Sequence, residues 1–208
     1  MIRKEPLLND HFYHIYNLGI DKRDIFKSEH DFKRFVMLMH IANSSNSVRL
    51  DNLINMQNMQ YEDVLRFETK DPLVSLGPWC LMNNHFHMIV RQSVDSGITE
   101  YMRKVCTGFS MHFNTKYQRS GALFGSKFKS KLIDSNDYMR YLFQYIHWNP
   151  LDIQFPDWKP EFKWDLILDE KQVQFIQNYD YSSYQDFLDP QKRLESRVIS
   201  LNEYSNWS

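Results

Sequence analysis

Residues 79–90 read Trp79-Cys80-Leu81-Met82-Asn83-Asn84-His85-Phe86-His87-Met88-Ile89-Val90. Apolar residues on either side of Asn83-Asn84 predict two strands, Leu73 to Met82 and His85 to Gln92, joined as a hairpin. On an extended strand alternate side chains share a face, so His85 and His87 point one way while Phe86, Met88 and Val90 point into a core. Two imidazoles held on one face of a rigid strand form a metal-binding geometry. Two ordinary histidines on a half-exposed strand would read the same, so the rest of the chain must decide.

With 208 residues, 42% hydrophobic and 15% aromatic, the chain can bury one sizeable core and carry an appendage. The opening Met-Ile-Arg-Lys-Glu-Pro is not followed by the apolar stretch of a signal peptide. The longest apolar-rich run, Val36 to Ala42, is broken by His40 and is too short to span a bilayer. A soluble, cytoplasmic protein without a membrane partner is therefore expected. The two cysteines, Cys80 in an apolar strand and Cys106 in a predicted helix, read as reduced core thiols rather than as a disulfide or a zinc site.

The net charge of -1 conceals an uneven distribution. Residues 101 to 133 contain Arg103, Lys104, Lys116, Arg119, Lys127, Lys129 and Lys131 but none of the chain's 26 acidic residues. Tyr101, Phe109, His112, Phe113, Tyr117, Phe124 and Phe128 interleave them. A solvated helix face is the usual origin of a charge run. An acid-free stretch mixed with aromatics suits a surface that neutralises phosphates and stacks bases.

His11 to Leu18 reads as a first strand turning at Gly19. Ser28 with Asp31 three residues on gives a capping-box signal, and Phe32, Phe35, Val36 and Met39 recur at helical spacing, so a helix runs to about Ala42. Residues 43 to 72 read as a connection with a short helical element around Leu50 to Phe67. Ile98, Met102, Val105, Phe109 and Phe113 mark a long amphipathic helix to about Tyr117, with Arg103, Lys104 and Lys116 on its polar face. Lys127 to Asp134 alternates as a further strand. Ser135 then caps a helix that Pro150 stops. On it Tyr138, Tyr141, Tyr145 and Asn149 fall at spacings of 3, 4 and 4, along one face, while Met139, Phe143 and Ile146 make an apolar stripe for the sheet. A tyrosine stripe of this kind is more often core than chemistry when it stands alone.

A histidine pair on a strand, a tyrosine one turn before an amide, and a basic segment between them together suggest phosphodiester chemistry. The chain resembles the single-tyrosine HUH transposases, most closely the REP-associated type related to the smallest insertion-sequence transposases. The carrying stretches are Tyr13-His14-Ile15-Tyr16-Asn17-Leu18-Gly19, Cys80 to His87, Ser120-Gly121-Ala122-Leu123-Phe124 with Phe128-Lys129-Ser130, Tyr145-Ile146-His147-Trp148-Asn149-Pro150, and Tyr181-Ser182-Ser183-Tyr184. The resemblance departs from the family pattern at Asn83, usually proline, at Leu18, usually arginine, and in Phe124-Gly125-Ser126-Lys127-Phe128, usually Phe-Gln-Gly-Arg-Tyr.

The resemblance implies an α+β fold, a central antiparallel β-sheet of the ferredoxin-like HUH/RRM-like sandwich type flanked by helices. It implies His85 and His87 as metal ligands, Asn149 as the third, Mg²⁺ or Mn²⁺ as the ion, and Tyr145 as the nucleophile that forms a 5′-phosphotyrosine intermediate. The implied partner is hairpin-bearing single-stranded DNA, which places the protein at the nucleoid. Arg103, Lys104, Lys116, Arg119, Lys127 and Lys129 are the candidate DNA contacts, and either a monomer or a homodimer is compatible. Residues 1–150 are expected to form the catalytic domain. Residues 151–208 are expected to be a packing or DNA-recognition extension, whose segment from Leu151 to Asp189, with Trp158 and Trp164, is longer than the family pattern. Among competing readings, a cupin needs a carboxylate soon after His87, where Met88-Ile89-Val90-Arg91-Gln92 stands, and a histidine-triad hydrolase needs histidine at position 89, which is Ile. A domesticated DNA-binding module that keeps the fold without cleaving is the alternative from another class.

Overall fold

The computed structural model describes residues 6–46, 48–158 and 167–204. Trp164 lies outside the described residues. In chain order the elements are β1 (Phe12–Leu18), α1 (Glu29–Ala42), α2 (Leu50–Gln57), α3 (Tyr61–Arg66), β2 (Val74–Met82), β3 (His85–Gln92), α4 (Gly97–Lys116), β4 (Lys129–Leu132), α5 (Asn136–Trp148), α6 (Glu170–Gln177), α7 (Tyr184–Leu188) and α8 (Leu201–Tyr204). The four strands form one sheet in the order β2-β3-β1-β4, every neighbouring pair antiparallel. This is the α+β architecture expected, and the histidine-bearing strand β3 lies inside it.

Alternation on the strands divides the core by face. Tyr13, Ile15, Trp79, Leu81, Phe86, Met88 and Val90 join Phe35 of α1 and Val105, Phe109 and Phe113 of α4 in the main core. On the opposite face Cys80, Met82 and Ile89 pack against Met139, Leu142 and Ile146 of α5 and against Tyr204. A 13-residue helix such as α5 is marginal in isolation. Its three buried aliphatic side chains each contribute about 1.5–3 kcal/mol, and they fix which helical face looks onto β3.

Asp31 closes the start of α1: its Oδ2 accepts the backbone N–H groups of Lys27 and Ser28 at 2.9 and 3.0 Å. The helical element expected between Leu50 and Phe67 is two short helices, separated at Asn58, whose φ of 53° lies in the left-handed region.

Although β2 is at the end of the strand order, its outer edge is covered by the chain's last third. Leu81 N–H donates to Tyr181 O, Ser183 N–H to Trp79 O and Ser200 N–H to Leu76 O, at 2.8–2.9 Å. Such pairing removes an edge that could otherwise template association. The β2–β3 register shifts between Leu76 and Trp79, at Gly77-Pro78, where the strand bulges. A Cβ on Gly77 would lie 2.3 Å from the Tyr204 ring, which is fully buried and donates its hydroxyl to Ser75 O. Gly77→Ala is therefore expected to destabilise the fold by about 1–3 kcal/mol, read as a lowered melting temperature, with Tyr204→Leu in the same chain relieving part of the loss.

Candidate active site

β1 and β3 supply the floor of the site. Their register pairs Tyr16 with His87 and His14 with Ile89, so His14, Tyr16, His85 and His87 share the face that α5 covers. His14 Nε2 lies 2.9 Å from His87 Nδ1, and the Tyr16 ring stacks on both imidazoles at 5.0 and 5.6 Å between centroids. Burial, with Lys131 nearby, lowers His14 to a pKa of about 4. A neutral His14 can accept a proton held on His87 Nδ1, which orients the His87 ring and makes Nε2 the atom it would offer to a metal.

α5 supplies the wall. Ser135 Oγ accepts the Tyr138 amide and starts the helix, while Asn149, with φ -52° and ψ -35°, prolongs its path where α5 passes into a 3-10 turn that runs through Pro150 to Ile153. Asn149 therefore stays on the face that carries Tyr145. The Tyr145 ring stands 5.6 Å from the His87 ring and 6.5 Å from that of His14, edge-on to both, and stacks on Tyr141 at 5.8 Å. These are the histidines of its own chain.

His85 shows how the donor set fits a cation. Asn84 Nδ2 donates to Lys22 O at 3.2 Å, so Asn84 Oδ1 accepts from His85 Nδ1 at 2.6 Å. His85 Nε2 then faces Asn149 Oδ1 at 3.1 Å. Two ligands at right angles on an ion with bonds of about 2.1 Å are about 3.0 Å apart, so this pair has the spacing of one edge of an octahedral Mg²⁺ or Mn²⁺ site. The residues fit the ion that the resemblance implies.

A second buried contact keeps α5 in place. His147, two residues from both Tyr145 and Asn149, lies with its Nε2 2.8 Å from Ser183 Oγ, which also accepts the Trp79 amide of β2 at 2.8 Å. Complete burial pushes His147 down to about 3, so it remains a neutral hydrogen-bonding group. The Ser182-Ser183 stretch thus ties the helix to the sheet.

The basic segment is divided between the two faces. Lys129 and Lys131 pair with Tyr16 and His14 in the β1–β4 register and flank the histidine face, with Lys129 Nζ 5.7 Å from the Tyr16 ring and Lys131 Nζ 4.3 Å from that of Tyr138. Lys127 is exposed just before β4. Arg103, Lys104, Lys116 and Arg119 belong to α4 and its C-terminal turn, on the other face. There Arg103 pairs with Glu100, Lys104 donates to Ser44 O, Lys116 pairs with Asp31, and Arg119 donates to Asn114 Oδ1. The sequence points to Lys129 but not to Lys131, His14 or Tyr16. The alternation of β1 was the signal for the last two, but it did not say which strand they would pair with.

Among the described residues His30, Asp31 and His112 also gather closely enough for a metal. The Asp31 carboxylate there already takes the Lys116 ammonium and the Tyr117 hydroxyl, each at 2.7 Å, besides two backbone amides. That group is an ion pair fastening α1 to α4, with a cation in place.

Residues 8–149 match the family model described as transposase, IS200-like. A solved structure of a REP-associated tyrosine transposase bound to a REP hairpin superposes with a TM-score of 0.55 at 10% identity, over 94% of this chain and 89% of that one. No curated protein sequence matches. No helix among the described residues is long and apolar enough to cross a membrane.

Proposed function

This chain belongs to the IS200-like transposase family, and on that premise we propose that it cuts and rejoins single-stranded DNA through Tyr145. One observation carries the proposal: Tyr145 stands 5.6 Å from the His87 ring while Asn149 Oδ1 faces His85 Nε2 at 3.1 Å. Nucleophile and acceptor set thus meet on one face, brought from a strand and a helix far apart in sequence.

His85, His87 and Asn149 would hold the ion, which when bound supplies Lewis-acid stabilisation to the phosphate oxygens. The protein's own groups do the rest. Tyr145 Oη gives up its proton to water and attacks phosphorus, the P–O3′ bond breaks, and the departing O3′ takes a proton from water, leaving a 5′-phosphotyrosine and a free 3′-OH. Attack by a 3′-OH on that linkage reverses the step and rejoins strands without ATP. Lys129 and Lys131 lie on the same face of the sheet as the histidines. Their side chains and Tyr16 offer a phosphate path and a stacking surface for an unpaired strand.

The structurally similar REP-associated transposase was bound to a REP hairpin, and we extend that class of DNA to this chain as its substrate, which would place it at the nucleoid. Residues 1–150 would be the catalytic part, with 151–208 fastening it. The test is incubation with labelled, hairpin-bearing single-stranded DNA and Mn²⁺. A protein–DNA adduct that survives denaturation is expected, and hairpin binding without any adduct would favour the non-cleaving module. Since Tyr145 lies against its own chain's histidines, a mixture of Tyr145→Phe and His87→Ala proteins is expected to form no adduct. Recovery in the mixture would show that subunits exchange the helix.

A further inference from the structure

Tyr145 has a further aromatic neighbour, supplied by the chain that follows α5. After α5 the chain doubles back through two 3-10 turns, Asn149–Ile153 and Pro156–Trp158. Trp158 ends 5% exposed, its ring 6.3 Å from that of Tyr145 and 6.5 Å from that of Trp148. Its indole N–H donates to Asp152 Oδ1 at 2.6 Å, and Leu151 and Ile176, both at most 1% exposed, complete a small core with it. The Tyr145 ring also meets His87 and, along the helix, Tyr141.

We infer that Trp158 is a positioning residue for Tyr145, a wall that holds the phenol ring toward the histidine pair; the inference rests on Tyr145 being the nucleophile. A tyrosine on a helix has alternative χ1 wells, and leaving one for another swings the hydroxyl by several ångströms. A misplacement of about 1 Å in a reacting group costs about a hundredfold in rate. A broad, flat side chain anchored by its N–H to Asp152 fills the space such a swing would need. Being almost wholly buried, Trp158 has little surface to offer DNA. Its loss should therefore appear in the rate of attack and not in affinity. This assigns a role to the two turns that follow α5.

The experiment measures single-turnover adduct formation at saturating hairpin-bearing single-stranded DNA with Mn²⁺, and hairpin affinity separately by fluorescence anisotropy. In Trp158→Ala the rate is expected to fall about a hundredfold with affinity within about twofold, and Trp158→Phe, which restores a ring, to recover to within about tenfold of wild type. Trp158→Leu keeps an apolar group in the core without a flat wall, and serves if Trp158→Ala is too unstable to assay. It is expected to melt above Trp158→Ala and to react at least about tenfold slower than wild type. A wild-type rate in a folded Trp158→Leu or Trp158→Ala protein overturns the inference. So does a loss of affinity that accounts for the loss of rate. Absence of any adduct with the wild type would instead overturn the reading of Tyr145, and is seen before the Trp158 variants are compared.

Discussion

Tyr145→Phe is expected to abolish the covalent adduct while leaving hairpin binding in place. The substitution removes one oxygen. The ring that stacks on Tyr141 and faces His87 and Trp158 is retained, so the melting temperature should stay within a few degrees, the shift expected for less than about 1 kcal/mol. Neither Tyr141 nor Tyr138 takes over, because they lie one and two turns back along α5 and stack in line behind Tyr145. A nucleophile lost without replacement lowers the rate by about four orders of magnitude or more, below detection on a denaturing gel. A Tyr145→Phe protein that still forms adduct would move the chemistry to another residue.

His87→Ala is expected to have the second largest effect, lowering adduct formation about a thousandfold and weakening Mn²⁺ binding together with it. The loss has two parts. One of the three proposed ligands disappears, and the His14 imidazole, 6% exposed and 2.9 Å from His87 Nδ1, loses its partner. His14→Ala keeps all three ligands and is expected to cost about 10- to 100-fold, the usual toll of removing the group that orients a ligating histidine. Titration of Mn²⁺ followed by electron paramagnetic resonance checks both. Unchanged Mn²⁺ affinity in His87→Ala would mean that the ion is held elsewhere.

The parts of this site legible in the sequence are those written in short periods. Alternation put His85 and His87 on one face of β3 and Phe86, Met88 and Val90 on the other, and spacings of three and four put Tyr145 and Asn149 on one face of α5. The capping signals at Ser28 and Ser135 marked both helix starts for the same local reason. What the sequence hid depends on pairing between distant segments. His14 reaches His87 only because β1 pairs with β3 in one particular register, and a slip of one residue would turn His14 to the other face. The basic residues read as one run, yet the chain crosses from α4 to β4 within it, so Lys129 and Lys131 arrive at the histidines while Arg103 and Lys116 stay behind the sheet. The last third was equally opaque. Ser183 binding His147 and Trp158 walling Tyr145 are contacts over sequence separations that no local pattern encodes.

The central claim is that Tyr145, placed by α5 beside the histidines of its own chain, supplies the oxygen that attacks phosphorus. Its most direct test is mass spectrometry of the protein after reaction with hairpin-bearing single-stranded DNA and Mn²⁺, nuclease trimming and proteolysis. The account predicts a nucleotide phosphate on Tyr145, in the peptide that contains Tyr145 to Asn149, and its absence when the ion is chelated. A nucleotide on any other side chain, or an unmodified Tyr145 in protein that has cut its DNA, would contradict it.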